Sequence, residues 1–190
     1  MKKDVLSKFY DYQKEAFKKT QESDKGIVIM PVATGKTYVQ AGIIANDIIE
    51  NPGFRMYVVN APRIMLSYQL LEEVFKFNLE NNIDAMYMAV HSGRVGEMEE
   101  LDKIRSRKGF THSPITNTTS PHGVNDMIER AKKANQPLIF FSTYNSAKRI
   151  EDGRGDNKIN IILNDESHYL VQERFNTDFN DIECERKYFF

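Results

Sequence analysis

Residues 27–37 read IVIMPVATGKT: four apolar residues, a turn of small residues, Gly35-Lys36-Thr37, and then a helical pattern. An apolar strand passing through a tight loop into Gly-Lys-Thr and a helix constrains the fold more than any other stretch. It requires a strand–loop–helix unit whose backbone N–H groups face a bound phosphate and whose helix presents its positive end to the same spot. The loop residues are Val32, Ala33, Thr34, Gly35, Lys36 and Thr37. Lys36 is placed to reach the outer phosphates as a point charge, and the Thr37 hydroxyl to take a position on Mg²⁺. The pattern G-x-x-x-x-G-K-[ST] has Met30 in place of its first glycine, and Ala33 stands where many such loops carry another.

The rest of the chain alternates. Helical spacing of Val5, Leu6, Phe9, Tyr12, Ala16 and Phe17 predicts a helix or pair of turns within 4–22, followed by a strand at 27–30. A helix over 36–50 ends at Asn51-Pro52-Gly53, and a strand at 55–60 leads to a helix over 65–78. A strand at 84–90, a solvent-facing helix at 97–107 and a short strand within 114–118 come next. Ser120 before Pro121 predicts an N-cap with proline at the first helical position, opening a helix to 134. Strands at 138–142 and 159–163 flank a short helix at 145–151 and a Gly-rich turn at 152–156, and another strand begins at 187. Strands alternating with helices predict an α/β domain with a mostly parallel sheet. Ligands of such sheets sit beyond the carboxyl ends of the strands. That directs attention to residues 32–37, 61–63, 91–93, 143–146 and 165–168.

At 190 residues the chain has room for one well-buried domain. A net charge of −1 means that any nucleic-acid site is local rather than a product of overall charge. A single cysteine, Cys184, excludes an internal disulfide framework and fits a reducing compartment. No apolar run approaches the roughly 20 residues of a membrane helix, and the N-terminus lacks a signal-peptide core, so a cytoplasmic protein is expected.

The second chemical signal is Asp165-Glu166-Ser167-His168, at the end of the apolar run 159–163. Adjacent carboxylates there are costly unless negative charge is needed. A nucleotide-bound Mg²⁺ supplies the need: Asp165 would hold the metal, directly or through water, and Glu166 would orient and deprotonate the attacking water.

Taken in order, MPVATGKT, NAPRIMLSYQ, STYNS and NDESHYL resemble the first motor domain of a superfamily 2 helicase or translocase. The DEAH-type group that includes restriction-enzyme motor subunits is the most similar, with Ser167 in the third place of D-E-A-H. The resemblance runs from about Phe9 to the end and implies a three-layer RecA-like P-loop NTPase domain that uses ATP and Mg²⁺. FYDYQKEAF resembles the family's L-R-x-Y-Q-x-E-A segment, which would make Gln13 the reader of the adenine edge. Pro62-Arg63 resembles motif Ia, which touches the sugar-phosphate backbone of the tracked strand. Thr143-Tyr144 with Ser146 resembles T-Y-x-S, in which Thr143 would donate to a phosphate, and His168 would couple the ATP site to neighbouring motifs. DNA is favoured over RNA as partner. The resemblance further implies that residues 1–190 are one ATP-binding domain, that the chain stops just before the T-A-T motif, and that the second RecA-like domain, with its arginine fingers, is absent. A P-loop regulatory module without motor activity is the alternative that Met30 and Ala33 support.

Other groups carry less. His91, His112, His122 and Cys184 have no zinc spacing. Lys103, Arg105, Arg107 and Lys108 form a basic cluster that suits a solvated helix face, and Phe75, Phe77, Phe140 and Phe141 suit a core.

Overall fold

The buried apolar runs form one sheet. The computed structural model describes residues 5–93, 115–171 and 182–190; the expected helix at 97–107, the basic cluster Lys103–Lys108 and His112 lie outside these. The elements are α1 (Asp11–Gln21), β1 (Lys25–Ile27), α2 (Lys36–Glu50), β2 (Met56–Ala61), α3 (Ile64–Glu80), β3 (Met86–Val90), β4 (Thr116–Thr118), α4 (Pro121–Ala134), β5 (Leu138–Thr143), α5 (Ala147–Arg154), β6 (Ile159–Asn164) and β7 (Cys184–Phe189). Turns of 3₁₀ helix at Tyr144–Ser146 and Ser167–Val171 follow β5 and β6. The sheet order is β1-β7-β6-β2-β5-β3-β4, and every described pairing is parallel.

Parallel strands need crossovers, and the helices supply them on both faces, so the central strands are buried on both sides. Along β2, Tyr57, Val59 and Ala61 join a core with α2 and α3, while Met56 and Val58 join one with α4 and α5. Phe75 and Phe77 of α3 and Phe140 and Phe141 of β5 are all core residues, as their sequence setting predicts. Ser120 caps α4, its Oγ accepting from His122 N, with Pro121 at the first position.

Several boundaries differ from expectation, β7 for one beginning at Cys184 rather than 187. The strand before the Gly-Lys-Thr loop is Lys25–Ile27 rather than 27–30, and it pairs with β7 alone. Val28 N still donates to the Phe189 carbonyl at 2.7 Å, after which the run leaves the ladder. Apolar character suggested a buried strand, but an edge strand is covered on one side only, and Ile29 is 91% exposed. The helix after β5 extends to Arg154, into the predicted Gly-rich turn.

Two packing devices fix α2. At its C-terminal end the buried Asp47 accepts from Arg55 Nε and Tyr57 Oη, both at 2.7 Å, and pairs with Arg186, tying the helix to β2 and β7. Midway, Phe9 lies over Gly42, where a Cβ would come within 2.5 Å of the ring tip. The ring is boxed in by Phe17, Tyr38 and Phe77, with centroids 5.2–6.4 Å away. This contact seats the segment that carries Gln13 against the helix that carries Lys36.

Gly42→Ala gains about 1 kcal/mol of helix propensity but overpacks a closed site at a cost of about 1–3 kcal/mol. The variant is expected to unfold at lower urea concentration than the parent with an unchanged m-value; a higher midpoint would show that Phe9 moves aside freely.

Candidate active site

The loop after β1 turns through two left-handed residues, Ala33 at φ 61° and Gly35 at φ 79°. Glycine is required at 35 on both backbone and steric grounds, since a Cβ would lie 2.5 Å from Gln13 Nε2. Ala33 adopts the same region with a side chain. The described non-glycine residues with positive φ are Ala33, Asn82, Asn135 and Glu166. Asparagine tolerates that region; the other two, Ala33 and Glu166, both line the cleft described next. Such conformations cost on the order of 1–3 kcal/mol and collect at functional sites.

That cleft, of about 460 Å³, is lined by Ala33, Gly35, Lys36 and Thr37 on the loop side and by Asp165 and Glu166 on the other. Lys36 Nζ lies 3.4 Å from Glu166 Oε1, and His168 Nδ1 lies 3.3 Å from Glu166 Oε2. Two motifs separated by 130 positions in sequence therefore meet across one cavity. The N-terminus of α2 opens into it without a side-chain cap and without an acid in its first turn. Tyr38 N and Val39 N bond back to the Gly35 carbonyl, leaving the amides of Lys36 and Thr37 for an anion.

Asp165 is held more tightly than its neighbour. It is 7% exposed, and its Oδ1 accepts from Gln40 Nε2 at 2.8 Å. Its amide donates to the Asn60 carbonyl, and Tyr144 Oη donates to its own carbonyl. Burial pushes the Asp165 carboxyl above the usual carboxylate range, with the Gln40 bond acting in the opposite direction. Glu166 follows in its left-handed turn, and Ser167 N donates to the Phe190 carbonyl at 2.8 Å, fixing the turn to the end of β7. Thr37 and Asp165 line the same cavity, and an oxygen pair of hydroxyl and carboxylate suits a hard cation such as Mg²⁺. The donor set and the uncapped helix end fit a nucleotide with its magnesium.

Gln13 is buried and its amide is committed within the protein: Nε2 donates to the Thr34 carbonyl and Oε1 accepts from Tyr10 N, each at 3.0 Å. Val32 is 88% exposed and does not line the cleft.

A second cleft, of about 750 Å³, lies beside the first. It gathers Pro62, Arg63, His91, Ser92, Thr143, Ser146 and Arg149 from the carboxyl ends of β2, β3 and β5. Leu66 and Gln69, in the first turns of α3, line both cavities. Thr143 Oγ1 donates to Ser146 Oγ, and so does Arg149 Nη1, both at 3.0 Å. His91 is fully buried, its Nδ1 accepting from Gly93 N, and burial lowers its pKa. Beneath the clefts a polar ladder crosses the sheet: Ser142 Oγ donates to Asn60 Oδ1, and Asn60 Nδ2 to Asn164 Oδ1. Sequence reasoning missed Gln40, Arg149 and this ladder. For the ladder a signal existed, since VVN, FFS and IILN each end an apolar run on a polar residue.

A Gly-Lys-Thr loop and an acidic pair at the carboxyl ends of a parallel sheet define a RecA-like P-loop α/β domain. The family model described as "Type III restriction enzyme, res subunit" (ResIII) matches residues 6–189, and the chain belongs to that family. The fold is similar to that in the solved structure of a nuclease-deletion mutant of the Type ISP restriction-modification enzyme LlaGI in complex with a DNA substrate mimic, at TM-score 0.74 and 23% identity. The match covers 96% of this chain and 15% of that one, so the chain spans a small part of that protein's length. No curated protein matches the sequence. Among the described residues, no helix is long and apolar enough to cross a membrane.

The Asp165 shift sets a pH dependence. A carboxyl whose folded-state pKa is raised above 3.8 contributes stability that is complete below that value and is lost as pH rises through the folded pKa. Ionised Asp165 is thus a liability to stability that the site retains. Asp165→Asn is expected to raise the urea midpoint at pH 7, with the gap closing as pH falls toward 4; a gap constant across that range would exclude this origin.

Proposed function

We propose that this domain binds ATP·Mg²⁺ and, in the full-length protein, couples its hydrolysis to movement on nucleic acid, DNA being favoured over RNA. The observation that carries the reading is the shared wall: Leu66 and Gln69 separate a phosphate-type cavity bearing Lys36, Asp165 and Glu166 from a cleft bearing Pro62, Arg63 and Thr143. DNA is favoured because the LlaGI structure of similar fold was solved with a DNA substrate mimic.

In this reading the amides from Gly35 to Thr37 and the positive end of α2 take phosphate oxygens, and Lys36 neutralises the outer phosphates. Thr37 and Asp165 hold Mg²⁺, which when bound neutralises charge on the phosphates. Glu166 orients the attacking water and accepts its proton, its carboxylate positioned by Lys36 and His168. Gln13 serves the adenine side by exchanging one of its internal hydrogen bonds for the base. Pro62, Arg63 and Thr143 line the path of the sugar-phosphate backbone without reading sequence. Residues 1–190 act as a single first RecA-like domain, and a second one in the full-length chain completes the nucleotide site from the opposite side.

Lys36→Ala and Glu166→Gln in the full-length parent are each expected to lower ATP turnover by about a hundredfold or more. Steady-state phosphate release, with and without duplex DNA, single-stranded DNA and RNA, is the measurement. A surviving rate in either variant places the chemistry elsewhere. The 190-residue chain alone is expected to bind ATP·Mg²⁺ weakly and turn it over poorly; full nucleic-acid-stimulated activity from it would sink the half-site reading. A parent that binds ATP without turnover on any nucleic acid would instead mark a regulatory module, the reading that the strained Ala33 favours.

A further inference from the structure

The second cleft has a charge pattern that its motif residues do not account for. Its described lining contains Arg63, Arg149 and His91 and no carboxylate. Arg149 stands in the first turn of α5, just after the 3₁₀ turn that follows β5, whereas Arg63 follows β2. These strands are neighbours in the sheet, with Ala61 opposite Thr143, so both arginines rise from adjacent strand ends into one cavity.

The hydroxyls around Arg149 are arranged unequally. Ser146 Oγ accepts from Thr143 Oγ1 and from Arg149 Nη1, which fills both of its lone pairs. The Thr143 proton is therefore spent inside the protein, and the hydrogen left over belongs to Ser146. The Arg149 guanidinium lines the cleft with one N–H held by Ser146, and its remaining donors have no other partner among the described residues. A planar fork held from behind matches two oxygens of a phosphodiester better than a mobile ammonium does. Apolar Ile64, Met65 and Leu66 line the same cleft, a surface suited to sugar and base edges.

We propose that Arg149, oriented by Ser146, is a phosphate-contact residue for a nucleic-acid strand in this cleft, and that Thr143 acts behind it as a buttress. The proposal rests on reading the cleft as a nucleic-acid site. It moves the phosphate contact from Thr143 to Arg149, three residues beyond the T-Y-x-S stretch.

The test is fluorescence anisotropy of a labelled single-stranded DNA, with an RNA of the same sequence and a polyglutamate of equal charge as parallel arms, over a salt series. Arg149→Ala is expected to weaken strand binding about tenfold or more and to flatten the plot of log affinity against log salt by about 0.7, the value for one phosphate lost from a single strand. Equal losses on DNA and RNA identify the shared phosphodiester as the ligand; a loss on DNA alone assigns the contact to a DNA strand. Arg149→Lys is expected to retain the slope while losing part of the affinity, because charge survives and the fork does not. Thr143→Val is expected to weaken binding less than Arg149→Ala with the slope unchanged. Wild-type affinity and slope in Arg149→Ala, alongside weakened binding in Arg63→Ala, would overturn the proposal and leave the cleft's reading intact. Failure of the parent chain to bind any strand would overturn both, and equal capture of polyglutamate would assign the arginines to an acidic peptide instead.

Discussion

The arrangement of this domain depends on one unfavourable placement: a carboxylate, Asp165, buried at the end of a strand that is itself buried on both faces. Removing a charge from water is tolerated only with compensating hydrogen bonds. Here Gln40 reaches from α2 to the carboxylate, Asn60 receives the Asp165 amide from β2, and Tyr144 donates from the turn after β5 to the Asp165 carbonyl. A helix and two strand ends thus converge on one residue, and their positions determine both clefts. Burial raises the Asp165 pKa despite the opposing Gln40 bond, the direction of a carboxylate whose lost hydration is only partly replaced. An incompletely satisfied carboxylate is suited to receive a cation.

The same residue links the two cavities. Tyr144 lies between Thr143, which lines the second cleft, and the backbone of Asp165, which lines the first. Leu66 and Gln69 form the partition between them. The β5 turn therefore has a short covalent and hydrogen-bonded connection to the acidic pair, and α3 supplies a wall of each cavity. Strain is placed accordingly: Ala33 and Glu166 hold left-handed conformations on opposite sides of the first cavity, anchored at the Glu166 side by the bond from Ser167 to Phe190.

Much of this was legible in the residues. The α2 span, the Ser120 cap and the existence of the buried strands follow from local pattern, because helix periodicity, capping chemistry and continuous apolar runs are short-range signals. The exception near the loop is instructive. Ile27 to Met30 looks like a core strand, yet only Ile27 belongs to β1, because a strand's burial depends on how many neighbours it has. Gln13 adds a detail no segment contains: the family resemblance made it the reader of the adenine edge, and in the fold Tyr10 and Thr34 engage both ends of its amide.

The sequence by itself determined which chemical groups the domain owns and where along the chain they fall: a lysine and threonine after a small-residue loop, a carboxylate pair after an apolar strand, an arginine after another. Those are local facts, decided by residue type and spacing. Only the tertiary structure decided which of them meet. The strand order puts β7 between β1 and β6, so Lys36 and Glu166 face each other across a cavity instead of lying side by side on paired strands. It likewise sets Gln40 against Asp165 and Arg149 into the cleft of Arg63. Strand order is set by how the whole chain buries both faces of the sheet, a balance that no single segment contains.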